Sequence, residues 1–386
     1  MTAALSIAAL WVALALIAGL LSYSFRVSAP LMEIVIGVLA QLLLGSEIMG
    51  ADSGWIKFLS TVGAVLLTFL AGSEIEPEVL KIKWKEAGAI GFASFIAPFL
   101  LCAGAAHYLL HWDVMPSWLA GLAMSTTSAA VVYAVMLEFG FNKVEYGKTL
   151  LISTFVTDVA TVLMLGLTFT PFTAKTVVAV FVAVVVLILL PKIAPPFFQR
   201  FGGLLSELET KFLLLCLLAM AALATWADSE AVLAGYVVGM VLAGSVGADH
   251  ALMRRLRTLT FGLLTPFFFI LVGSLVSLPA LIAAPGATVF FFIVKVFSKT
   301  AGIFPVAKYF GSTTKEAMYS SLLMSTGLTF GTIAALFGLK HGIIDASQYS
   351  SIVAAVITTA IIPTIIANLY FLPIHLLPKR QPEENP

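Results

Sequence analysis

Long apolar runs broken by short polar intervals fill the chain from end to end. Thirteen reach or approach membrane-spanning length, near 3–22, 30–46, 56–73, 86–108, 117–137, 146–169, 174–196, 210–227, 229–247, 259–276, 280–307, 316–338 and 348–374. A helix of about 20 apolar residues covers the hydrocarbon core of a bilayer. The pattern therefore predicts an all-α polytopic membrane protein with about 13 transmembrane helices, and no interval has room for a soluble domain. Composition strengthens that reading: 60% of residues are hydrophobic and 11% charged, with a mean hydropathy of +1.06. A net charge of +1 gives no reason to expect nucleic acid as a partner. Cys102 and Cys216 lie in apolar runs without metal-like spacing, so neither a disulfide framework nor a zinc site is implied. Residues 1–22 lack a basic n-region and read as a first transmembrane helix rather than a signal peptide.

The basic residues test this segmentation independently. Of the twenty-one Lys and Arg, sixteen fall in odd-numbered loops and the tail, from Arg26 through Lys81, Lys83 and Lys85 to Lys379 and Arg380. Only Lys57, Lys175 and Lys340 fall on the other side, and Lys295 and Lys299 lie inside a run. One miscounted run would flip every later loop and erase the bias. By the positive-inside rule the N-terminus is expected outside and the C-terminus in the cytoplasm.

Polar residues inside the apolar runs carry the chemistry. Asp158 is the only charge in LLISTFVTDVATVLMLGLTF, residues 150–169. A carboxylate near the middle of a bilayer is costly, and such residues usually mark an ion or proton pathway. The fifth run holds Met124-Ser125-Thr126-Thr127-Ser128 and the twelfth holds Met324-Ser325-Thr326-Gly327. Thirty-three residues beyond Ser125 lies Asp158, and thirty-three beyond Ser325 lies Thr358, so Thr157-Asp158 falls close to Thr358-Thr359. The offset is an odd number of runs, which sets the copies in opposite orientations. Inverted repeats with interrupted helices near the midplane are the usual architecture of secondary transporters.

Such segments tolerate unwound backbone where it lines a cavity. The Thr126, Thr127 and Ser128 hydroxyls are hard oxygen ligands suited to a monovalent cation. Asp158 supplies the negative charge and also accepts a proton, so cation and proton can compete for one site. In the eleventh run, Lys295 and Lys299 lie one helical turn apart on one face. Snorkelling to the interface fits Lys295, whereas Lys299 is the better core-facing cation beside Asp158.

Several segments resemble the monovalent cation–proton antiporters, particularly the prokaryotic branch with the NapA-type Na⁺/H⁺ antiporters. Ala29-Pro30 with Glu33-Ile34-Val35-Ile36-Gly37 looks like the family's early proline–Gly-Glu segment, and Phe69-Leu70-Ala71-Gly72-Ser73-Glu74 like its FLAGLE signature. Pro266-Phe267-Phe268-Phe269 with Val272-Gly273 resembles PIFF…VG. Ser298-Lys299-Thr300-Ala301-Gly302 is similar to the Gly-Lys-x-x-Gly element, which puts the core lysine on Lys299. Phe337-Gly338-Leu339-Lys340 resembles the end of the second broken helix.

The resemblance implies an elevator-type exchanger of the NhaA/NapA-like fold, a single transporter unit over 1–378 with a cytoplasmic tail at 379–386. Its core would comprise runs at 86–169 and 280–374, its dimer or scaffold part runs at 3–73 and 210–276, with a linker at 174–196. It also implies a homodimer in the bacterial inner membrane, with Glu33 and Glu74 in supporting positions. Two departures stand out. Electrogenic members carry two adjacent aspartates in span six, whereas this chain has Thr157-Asp158, which favours electroneutral one-for-one exchange. Where relatives often have an Arg-Gly-Glu-type patch, this chain has Gly327-Leu328-Thr329.

The expected function is exchange of a monovalent cation for H⁺. Na⁺ is favoured, and Li⁺ and K⁺ also suit oxygen ligands; no cofactor is expected beyond the transported ions and the surrounding lipid. A K⁺/H⁺ antiporter and a Na⁺-coupled organic solute symporter of the bile-acid type are the alternatives. A channel would need polar rings or a filter, and neither is present. An enzyme is disfavoured: no second aspartate pairs with Asp158, and no Ser–His or zinc-type pattern appears among His107, His111, His250, His341 and His375.

Overall fold

A computed structural model describes residues 2–25, 28–75, 77–168, 174–202, 207–227, 231–246, 250–275 and 285–377. Within them, eleven helical stretches are long and apolar enough to cross a membrane, and two shorter apolar helices, Ala231–Gly244 and Phe330–Leu339, accompany them. The predicted tail (379–386) and Arg26 lie outside the described residues.

The chain begins with α1 (Thr2–Phe25), α2 (Ala29–Met49), α3 (Gly54–Ser73) and the long α4 (Pro77–Tyr108). The fifth apolar run is two helices, α5 (Val114–Ser125) and α6 (Ala129–Glu138), and α7 (Glu145–Thr168) carries Asp158. Next come α8 (Ala174–Phe201), α9 (Leu208–Trp226) and α10 (Ala231–Val246). The run expected at 259–276 starts earlier, in the Arg-rich α11 (His250–Leu259), which passes through a π-turn at Thr260–Leu264 into α12 (Thr265–Ser274). Both intramembrane lysines sit on α13 (Pro285–Tyr309). The twelfth run also splits, into α14 (Thr314–Leu323) and α15 (Thr329–Lys340), and α16 (Ala346–Ile366) follows.

Local chemistry sets several of these ends. Thr313 and Glu316 form a capping box at the start of α14, with the Thr313 amide donating to the Glu316 carboxylate at 2.7 Å. Asp345 and Gln348 do the same for α16, and the Gln348 amide donates to Asp345 at 2.8 Å. Each box satisfies amides that a helix start otherwise leaves unpaired.

The helices pack as two groups. In one, α12 lies on α2 and α3, α10 lies along α3, and α1 covers α2. In the other, α4 packs on α5, α7 and α13, α13 packs on α14 and α16, and α15 lies on α5 and α16. Without a hydrophobic drive between helices in lipid, close approach depends on small residues. Gly239 of α10 shows this: a Cβ there would sit 2.9 Å from the Ser73 amide and 3.0 Å from the Phe69 carbonyl carbon of α3. Gly239→Val is expected to push α10 off α3 and destabilise the protein by about 1–3 kcal/mol. Thermal unfolding in detergent measures this; an unchanged midpoint would show that the two backbones can separate freely. α8 presents Val177, Phe181 and Ile188 outward, as a lipid-facing helix should.

Candidate ion-binding site at the crossing of two broken helices

Both helix breaks fall inside the Ser/Thr/Gly clusters, and they meet. After Ser125 the backbone turns extended at Thr126 (φ −63°, ψ 151°) and Ser128 (φ −99°, ψ 102°) before α6 begins. The Ser128 amide donates to the Thr326 carbonyl at 2.7 Å, and the Thr127 hydroxyl donates to the Met324 carbonyl at 3.0 Å. Unwound backbone at membrane depth is tolerated where protein satisfies it. Here each broken helix satisfies part of the other. Ser125, Thr126, Thr127, Ser128, Ser325 and Thr326 are all buried.

Lys299 fills the heart of this crossing. Its ammonium donates to the Ser125 carbonyl at 2.7 Å, the Thr127 hydroxyl at 2.8 Å and the Ser94 hydroxyl at 2.8 Å. An ammonium has three N–H donors, and here all three have an oxygen. The Ser125 carbonyl ends α5, so the charge also meets the negative end of a helix dipole. Lys299 thus takes the oxygen cage that the sequence pattern suggested for a cation. The other hydroxyls are engaged as well: Thr126 donates to the Ala123 carbonyl at 2.9 Å, and Ser128 caps α6 by accepting from the Val131 amide at 3.4 Å.

Asp158 is 4% exposed on α7 and within electrostatic reach of the Lys299 ammonium and of the Tyr236 phenol. Its neighbour Thr157 faces α4 and donates to the Gly91 carbonyl at 3.1 Å and the Ser153 carbonyl at 3.0 Å. Thr157 therefore fastens α7 to α4 and is engaged as a packing hydroxyl. Lys295 departs from the snorkelling expectation. It is fully buried, like Lys299, because α4, α14 and α16 surround this stretch of α13. Gly327 lies against it: a Cβ at Gly327 would collide with the Lys295 amine and come within 2.6 Å of the Thr126 hydroxyl. The Thr329 side chain lies outside the described residues, as does that of Lys340.

Glu33 and Glu74 lie away from the crossing, at the seam between the helix groups. Glu74 caps α3, pairs with Arg257 of α11 and accepts from the Tyr133 hydroxyl of α6 at 3.4 Å. Glu33 is buried on α2 within electrostatic reach of Glu138 at the end of α6. A further link joins Tyr236 of α10 to α7, by a 2.8 Å hydrogen bond to the Leu151 carbonyl and a stack on Phe155 at 5.0 Å. Along α15 the seam opens instead, into a cavity of about 140 Å³ bounded by Ser60 and Val272 on one side and Leu328 and Thr332 on the other. Ser94, Tyr133 and Tyr236 escaped the sequence reading. Each is one polar group in an apolar run, with no spacing to distinguish it from a helix contact.

A family model described as "Sodium/hydrogen exchanger, transmembrane" matches residues 12–371. This chain belongs to that family. Among relatives of this exchanger, the Na⁺/H⁺ antiporter NhaS4 of Synechocystis is 24% identical over 94% of this chain and 96% of its own length. The Na⁺/H⁺-K⁺ antiporter GerN of Bacillus cereus is 23% identical over 84% of this chain and 87% of its own. The fold is that of the sodium proton antiporter MjNhaP1 of Methanocaldococcus jannaschii: one solved structure covers 100% of this chain and 99% of its own, with a TM-score of 0.76 at 15% identity. The exchanger is thus a multi-pass membrane antiporter, which agrees with the resemblance drawn from its motifs.

Proposed function

We propose that this exchanger trades a monovalent cation for a proton at Asp158, one for one, by alternating access. The observation that carries this reading is the division of labour at the crossing. Lys299 is held by three oxygens, while Asp158 is the buried acid of α7 beside it. A carboxylate can hold a dehydrated cation or a proton, and each excludes the other. Thr157 cannot titrate, so Asp158 is the single acid at this position of the helix. One proton then leaves for each cation that enters, and no net charge crosses.

Movement would be of the elevator type. The group α4–α7 with α13–α16 carries the site, and the group of α1–α3 and α9–α12 stays as scaffold and dimer surface. The open cavity along α15 leaves room for the groups to shift, and contacts along α6 such as Tyr133–Glu74 would have to be exchanged as they do. The proposed topology has thirteen spans, with α5–α6 and α14–α15 as one each, and the bias of the basic residues supports an outside N-terminus and a cytoplasmic C-terminus in a bacterial inner membrane. Na⁺ is the first choice of cation. Two bacterial relatives, NhaS4 and GerN, are named for Na⁺/H⁺ exchange, and the name of GerN adds K⁺.

Proteoliposomes loaded at one pH and challenged with Li⁺, Na⁺ or K⁺ test the reading directly. Cation-driven proton flux is expected without a membrane potential and undiminished when a potassium ionophore clamps the voltage. A potential that builds during exchange, with no counter-ion present, would overturn the one-for-one ratio.

A further inference from the structure

Two lysines lie one turn apart on α13, both fully buried, and the crossing treats them in opposite ways. Lys299 has an oxygen for each of its N–H groups. The Lys295 amine has no hydrogen-bond partner among the described residues. It sits against Gly327, immediately before α15, where any Cβ would displace it.

We propose that Lys295 is a second proton-binding group of the exchange site, one whose proton opposes cation binding from the second broken helix. This rests on the reading of Asp158 as the site where cation and proton compete. Three acceptors favour the ammonium form of Lys299. No acceptor holds a proton on Lys295, so its charge is set by the pH and by what occupies the crossing. Around it, the titratable groups in electrostatic reach are Cys102 of α4 and Lys299 itself. α5 carries no titratable side chain, α15 only Lys340 at its far end, and on α14 and α16 Lys315, Glu316, Tyr319 and Tyr349 lie in the first two turns. Among the described residues, no carboxylate of these packed helices is in electrostatic reach of the amine. When protonated, Lys295 adds a second positive charge to a crossing that already holds Lys299, and the incoming cation is repelled. The exchanger is then braked on its acid side by two protons, one on Asp158 and one on Lys295. The core bearing the extra charge does not make the crossing, so transport stays one for one.

The test is the pH dependence of the apparent KM for Na⁺ in proteoliposomes, for the wild-type exchanger and for Lys295→Met. Each proton that competes with the cation contributes a factor of ten per pH unit at the acid limit. The wild type is expected to lose apparent affinity about a hundredfold per unit there, and Lys295→Met about tenfold. Lys295→Arg, charged at every pH, is expected to show a raised KM throughout and the tenfold slope. A wild-type limb of only tenfold, or a Lys295→Met limb as steep as the wild type, overturns the proposal. The wild-type slope alone decides the matter if neither variant folds. Failure of the underlying reading looks different, because Na⁺ and H⁺ would then show no competition at all.

Discussion

Asp158→Asn is expected to abolish cation-driven proton flux while leaving a folded, membrane-inserted protein. Asparagine keeps the size of the carboxylate and its capacity to accept hydrogen bonds, so packing on α7 is preserved. What disappears is the charge. At about 4 Å and an effective dielectric constant of about 20, that charge contributes about 4 kcal/mol to holding a monovalent cation. The loss corresponds to about a thousandfold in affinity. An amide also cannot take the proton in exchange, so both halves of the cycle fail together. Retained Na⁺-driven proton flux in Asp158→Asn proteoliposomes, with normal elution in detergent, would refute the central assignment.

Lys299→Ala is expected to cost about 1–3 kcal/mol of stability, the scale for leaving a buried polar group without its hydrogen-bond partner. Three oxygens that now face the ammonium, on Ser94, Ser125 and Thr127, would be left to face a void. One of them, the Ser125 carbonyl, ends α5 and has no helical partner of its own. The damage should fall on the crossing first, because Thr127 also ties the first break to Met324 of the second. Thermal unfolding in detergent measures the loss, and Lys299→Gln, which restores a donor, should recover part of it. A wild-type unfolding midpoint in Lys299→Ala would mean that the cage closes without its lysine.

The breaks at 126–128 and 324–328 were legible because they depend on local facts. Small hydroxyl residues and a glycine in the middle of an apolar run can end a helix and satisfy their own backbone. Asp158 was legible because a lone acid at membrane depth has few uses. The fate of the hydroxyls was not legible. Thr126, Thr127 and Ser128 look like free oxygen ligands in the sequence, yet Ala123, Met324, Lys299 and Val131 engage them. Lys295 was open between snorkelling and the core for a related reason: a lysine near a membrane end can do either, and its burial depends on neighbours far away in the chain.

What the sequence determined by itself is therefore the solvent of each segment. Runs of apolar residues must lie in lipid or protein, basic loops bias which side they face, and a solitary Asp158 must pay for its place by function. These follow from transfer free energies that act residue by residue. Only the tertiary structure decided who meets whom: that Lys299 reaches into the crossing, that Ser94 of α4 joins Ser125 and Thr127 around its ammonium, and that Lys295 stands against Gly327. Those outcomes turn on the rotation of each helix about its axis. In lipid that rotation is fixed by close packing and hydrogen bonds between helices, and a single run of apolar letters does not encode it.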